Sequence, residues 1–222
     1  MVATRFRLAA SWRIAAELCA SRPGWRIYEL HPGGGQYDVL SLREGTSTEH
    51  VALNREGTMH VFGTGWTGDG SWDRCLAEDG TVGVVKDILA AFPSSTHKAT
   101  PADRAAVVTY RTVATVLTQR LFDADEWDAR SQALDSSVGS GLRTDLASVD
   151  PTLVSADPYH VWLLTVNGAI ITVLHDGWAY TRGGERLDLV DQLSGGASYA
   201  DLAALVTRRP TAARRPPGMP SS

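Results

Sequence analysis

The stretch LNREGTMHVFG (residues 53–63) returns in altered form as VLHDGWAYTRG (residues 173–183), and that recurrence decides the fold. In each copy, a short run rich in branched and aromatic residues meets a second run across a turn that carries glycine, Gly57 in one and Gly177 in the other. Glycine at that place supplies the positive φ a tight connection needs, so both stretches predict antiparallel hairpins with Gly57 and Gly177 shaping the turns. The run before each hairpin repeats too: YDVLSL (37–42) has its counterpart in YHVWLL (159–164). A helical stretch precedes each series, followed by Trp25 in the first and Trp127 in the second. A period of this kind reads as internal duplication of one supersecondary unit.

Working outward, Leu8, Trp12, Ala15 and Cys19 recur at helical spacing over residues 4–20, with Ile14 and Leu18 beside them. They predict an amphipathic helix that buries one face and stops at Pro23 and Gly24. WRIYEL (25–30) and QYDVLSL (36–42) flank the turn-rich HPGGG (31–35), a hairpin whose turn is set by Gly33, Gly34 and Gly35. HVALN (50–54) and TMHVF (58–62) complete a four-stranded meander. Residues 63–80, dense in Gly, Asp and Trp, read as a loop, and VGVVKDILAAF (82–92) reads as a helix ended by Pro93. PSSTHKATP (93–101) has linker chemistry, and beyond it Val107, Tyr110, Ala114, Leu117 and Leu121 mark a second long helix opened by Asp103. The second half carries extra Ser, Asp, Gly and Leu residues, which predict a mobile inserted loop near 134–158. Helical segments are expected at 185–193 and 198–207. The expected class is therefore α+β: tandem helix–antiparallel sheet–helix units over 1–98 and 99–207. A disordered Arg/Pro-rich tail at 208–222 follows, since it has no large aliphatic residue to pack.

At 222 residues, with 43% apolar and 21% charged content, the chain can bury a sizeable core. A net charge of -4 argues against nucleic acid as a partner, because that work rests on cations neutralising phosphates. No run is long and apolar enough to span a membrane. Arg13 and Glu17 interrupt the first helix where an export signal would need an apolar run, and Cys19 and Cys75 have no paired motif; both points suit a cytoplasmic protein with reduced thiols.

The search for reactive chemistry returns little. HPGGGQYD could present backbone N–H groups to an anion, but Gln36 and Tyr37 lead into a strand rather than a helix N-terminus, so a structural hairpin is the better reading. His31, His50 and His60 with Asp38 could form a metal or acid–base cluster; strand alternation argues against it, and neither metal nor cofactor is expected. The sequence has seven tryptophans, and core packing accounts for most of them. Trp66 and Trp72 differ, because GTGWTGDGSWD has no periodicity to bury them and aromatics on such a segment recur as contact residues.

The first helix containing AASWRIAAEL, the turn ELHPGGGQYDVLSL and the downstream HVALNREGTMHVFG together resemble an actinobacterial family of peptide-binding chaperones related to type III secretion chaperones and YbjN (the TY-Chap type). The resemblance is carried by residues 5–65 and extends to the rest only as architecture. It implies a helix, an antiparallel sheet and a closing helix, in tandem or as a homodimer, which bind segments of other polypeptides, with bacterial conflict or secretion-like systems as context. The expectation is a non-enzymatic chaperone or adaptor in which a client docks by edge-strand addition or in an aromatic-lined groove. The residues expected to meet it are Trp12, Trp25, Tyr28, Gln36, Tyr37, His60, Trp66 and Trp72, with core packing the competing role for Trp12, Trp25 and Tyr37. Two rivals stand beside this: a hydrolase using His31, Asp38 and His60, and a structural dimerisation module.

Overall fold

The computed structural model describes residues 2–32, 37–44, 47–54, 58–61, 66–69, 78–123, 125–132, 161–181 and 185–208. Helix α1 (Val2–Ser21) leads into strands β1 (Arg26–Pro32), β2 (Tyr37–Glu44), β3 (Ser47–Asn54), β4 (Thr58–Val61) and β5 (Trp66–Asp69), then helix α2 (Glu78–Ala90). Helix α3 (Pro101–Gln119) opens a second series of β6 (Trp127–Gln132), β7 (Val161–Val166), β8 (Ala169–His175), β9 (Trp178–Thr181) and β10 (Arg186–Asp188), closed by α4 (Leu189–Ser194) and α5 (Tyr199–Val206). Both sheets are antiparallel meanders in sequential order, β1 to β5 and β6 to β10. The protein is α+β, as its strand and helix patterning predicted.

Two elements differ from expectation. Trp66–Asp69, read as loop from its Gly and Asp content, is a fifth strand, paired through Val61↔Trp66 and His60↔Thr67. Four residues are too few to display alternation, and the ladder is made by backbone groups whatever the side chains. Residues 185–193, read as helical throughout, begin as β10, pairing Arg186↔Tyr180 and Leu187↔Ala179. Only at Leu189 does the helix start, where the Asp188 side chain accepts the Asp191 N–H as an N-cap. The glycine turn 33–35 with Gln36, Gly57, Trp72, Cys75, the insertion at 134–158 and the tail from 209 onward lie outside the described residues.

The first helix buries more than one stripe. Ala9, Ala10, Trp12, Ile14, Ala15, Ala16, Leu18 and Cys19 are all buried, which encloses α1 on most of its circumference. Small residues let helix backbones approach closely, and α1 packs along α3. Trp12 meets Trp162 of β7 edge-on at 4.7 Å between ring centroids, and Tyr110 of α3 lies 6.3 Å from both rings. One hydrophobic core therefore runs from α1 and the first sheet through α3 to the second sheet and α5. The two sheets have the same sequential strand order, and the core spans residues on both sides of positions 98 and 99.

Polar groups fix the junction. Thr100 and Asp103 form a reciprocal capping box at the start of α3, with Pro101 at its first turn. Arg26 of β1 reaches Asp103 at 3.4 Å and Asp176, in the β8–β9 turn, at 3.6 Å. In that turn Gly177 takes φ +87°, and its N–H donates to the Thr109 hydroxyl at 2.7 Å. A Cβ there would lie 2.9 Å from a Val190 methyl, so glycine is required both by conformation and by space.

Candidate functional site

Two surfaces could hold another chain. The first is the outer edge of the first sheet. Among the described residues β5 pairs only with β4, and strand addition uses the backbone groups of a strand that has a partner on one side. Trp66 opens this strand, and His60 stands opposite Thr67 one strand in.

The second is a groove in the helix layer. On α1, Arg13 and Glu17 stand four residues apart and share a face; on α3, Arg111, Ala114, Thr115 and Thr118 do the same. Between these helices, with Val82 of α2 and Tyr199 of α5 on the rim, lies a cavity of about 530 Å³. A second, of about 310 Å³, lies among Cys19, Pro23, Asp103, Arg104, Val107 and Val108. Arg111 and Tyr199 line both. Arg111 holds Glu17 through two parallel bonds of 2.8 Å, from Nε and Nη2, and its guanidinium carbon is 5.9 Å from the centre of the Tyr199 ring.

The charges are settled by their surroundings. The bonds to Glu17 hold the Arg111 proton more tightly than usual despite partial burial, so the guanidinium stays charged. Asp103 is opposed by burial, but the Thr100 hydroxyl and N–H, the Arg26 charge and His97 outweigh that, and its carboxyl lies below its ordinary value. Burial pushes the Cys19 thiol far up, so it stays protonated and is no activated nucleophile.

The residues singled out from the sequence are dispersed. Trp12 is 0% exposed and Trp25 2%, the latter edge-on to Phe92 at 5.0 Å with the Arg22 guanidinium 4.5 Å from its ring centre. Both belong to the core. Tyr28 is half-buried at the β1 bulge, with Arg43 5.4 Å from its ring centre. Tyr37, His60 and Trp66 fall on β2, β4 and β5, whereas Gln36 and Trp72 lie outside the described residues. The groove residues Arg13, Glu17, Arg104, Arg111 and Tyr199 were not singled out. Arg13 and Glu17 at i and i+4 on one face of α1 were the available signal.

The register also bears on the hydrolase reading. His31 and His60 share one cross-strand row, His31↔Val39↔Ala52↔His60, three strand spacings or roughly 14 Å apart. Asp38 falls in the adjacent row, opposite Pro32 and Leu53. That spacing holds His31 and His60 apart, while Asp38 lies beside Val39, the partner of His31 on β2.

A family model described as T3SS (YopN, CesT) and YbjN peptide-binding chaperone 2, TY-Chap2, matches residues 9–209, and the chain belongs to that family. No curated protein and no solved structure matches. The match takes in both halves. Among the described residues no helix is long and apolar enough to cross a membrane.

Proposed function

We propose that this chain is a non-enzymatic chaperone or adaptor that holds an extended segment of another polypeptide as an added strand on β5, in a cytoplasmic, secretion-like or conflict system. The observation that carries the reading is the peptide-binding chaperone family match over residues 9–209, read together with a terminal strand that pairs on one side only among the described residues. Strand addition draws affinity from main-chain hydrogen bonds, which tolerate many sequences, and specificity from the side chains flanking the edge. Trp66 and Trp72 are assigned to that flank, with Tyr28, Tyr37 and His60 on the same sheet and Gly33, Gly34, Gly35 and Gln36 shaping the neighbouring turn. Trp12 and Trp25 support the sheet from the core. Descent of the two halves from one duplicated unit is part of the same reading, supported by the repeated order of helix, five strands and helix.

The test is a peptide array spanning the proteins of the native host, probed with the purified chain and with a Trp66→Ala/Trp72→Ala double variant. The reading expects a subset of extended, β-prone peptides to bind wild type, and the variant to lose at least tenfold in affinity. An array on which nothing binds would refute peptide holding; equal binding by the variant would refute the assignment of the tryptophans.

A further inference from the structure

We infer that the outer face of the second sheet is a docking surface for the chain's own segment 133–160, the connection between β6 and β7. The inference stands apart from strand addition at β5 and concerns the other half of the molecule.

That face is covered. Along β7 the side chains alternate: Trp162, Leu164 and Val166 enter the main core, whereas Val161 and Leu163 point the other way and meet Val173 and Tyr180 in a cluster of their own. Val161 is 1% exposed, Leu163 and Val173 7% and Tyr180 4%, so water is kept from a face that an antiparallel sheet commonly leaves wet. The helices packed on this sheet do not supply the cover. Trp12 of α1 and Tyr110 of α3 meet Trp162, and the Thr172 hydroxyl donates to the Val206 carbonyl at the end of α5, all on the opposite face. Arg186 lies over Trp178, 3.4 Å from its ring centre, which accounts for the β9–β10 side alone.

Chain length and position single out the occupant. Gln132 and Val161 stand opposite each other at the end of the β6–β7 ladder, a closure that roughly two to five residues could make. Residues 133–160 make it instead, and they rejoin the sheet at Val161, inside the covered cluster. Leu134, Val138, Leu142, Leu146, Val149 and Leu153 recur among them at steps of three or four, the sequence pattern of a segment with one apolar face to bury. The tail from 209 onward departs from α5, on the opposite face, and residues 70–77 join β5 to α2 in the first half. The first half also supplies a comparison. There β1 and β2 are joined through residues 33–36, and the outward pair is Ser41 with His50, polar where the second sheet has Leu163 with Val173. The long connection and the apolar outer face occur together.

The test is limited trypsin digestion of the full chain, followed by mass spectrometry, with Arg143 as the reporter inside the segment. Cleavage of a docked segment tracks the population in which it is released, so the bond after Arg143 should be cut at least fiftyfold more slowly than in a synthetic peptide of residues 133–160. Leu163→Thr/Val173→Thr makes the face polar with residues that still favour a strand. It should speed the cut after Arg143 at least fivefold and leave the cut after Lys98, in the exposed connection before α3, at its wild-type rate. If both cuts accelerate together the double variant has unfolded, and Val173→Thr alone is then read at the same two sites. Wild-type cleavage after Arg143 at the free-peptide rate overturns the inference. So does a protected Arg143 whose rate the folded variant leaves unchanged, which would seat the segment elsewhere.

Discussion

The two sheets share a meander and differ in their outward faces. In the second sheet Leu163 of β7 stands opposite Val173 of β8, and with Val161 and Tyr180 they form an apolar cluster, buried and separate from the main core. The same place in the first sheet is taken by Ser41 of β2 opposite His50 of β3, whose side chains hydrogen-bond at 3.0 Å. The inward rows are alike, Leu40 and Leu42 in one sheet matching Trp162 and Leu164 in the other. Turn geometry and inward residues accompany the shared topology, while the outward row differs between the sheets.

The largest effect should come where the halves are one. Trp162→Ala removes a ring packed on both Trp12 and Tyr110 and should cost about 3–5 kcal/mol. Urea unfolding followed by tryptophan fluorescence and far-UV dichroism should show a single coincident transition that moves as a whole. Two separated transitions would mean that each half keeps its own core. Next, Leu163→Ala should cost about 2–5 kcal/mol, against roughly 1 kcal/mol for Ser41→Ala, which loses one hydrogen bond. Similar losses at both sites would erase the distinction between the faces.

A smaller pair tests the turns. Gly177→Ala should destabilise by about 1–3 kcal/mol, since φ +87° and the Val190 methyl both oppose a Cβ. Gly168 has φ +78° with nothing within 4 Å of such a Cβ, so Gly168→Ala should cost less, about 1 kcal/mol. The reverse order would misplace the docking of the β8–β9 turn on α3.

The smallest is a pH effect at the junction. The Asp103 carboxyl lies lower in the folded chain than in the unfolded one, so its stabilisation is complete above the unfolded value and lost as pH falls through the folded one. Wild type should lose more of its urea midpoint between pH 7 and pH 3 than Asp103→Asn does. Equal losses would remove Asp103 from the acid response.

Much of this architecture was legible beforehand. Hairpins announce themselves through local chemistry: Asp176 and Gly177 both take positive φ, as a two-residue turn of their kind requires, and Asn167 with Gly168 repeats the device between β7 and β8. The capping residue Asp103 likewise advertised α3. Less visible was what depends on partners distant in sequence. Trp66–Asp69 becomes a strand because β4 offers it a ladder, and α1 is enclosed because α3 lies against it. The groove is hidden in the sequence for the same reason, since Glu17 and Arg111 meet across two helices 94 residues apart in the chain.

The claim at the centre of this account, that a client is held as an added strand, is tested most directly by amide hydrogen exchange with the tightest array peptide bound at saturation. The amides of Trp66–Asp69 should exchange at least tenfold more slowly than in the unbound chain. A saturating peptide that leaves those amides unchanged would contradict it.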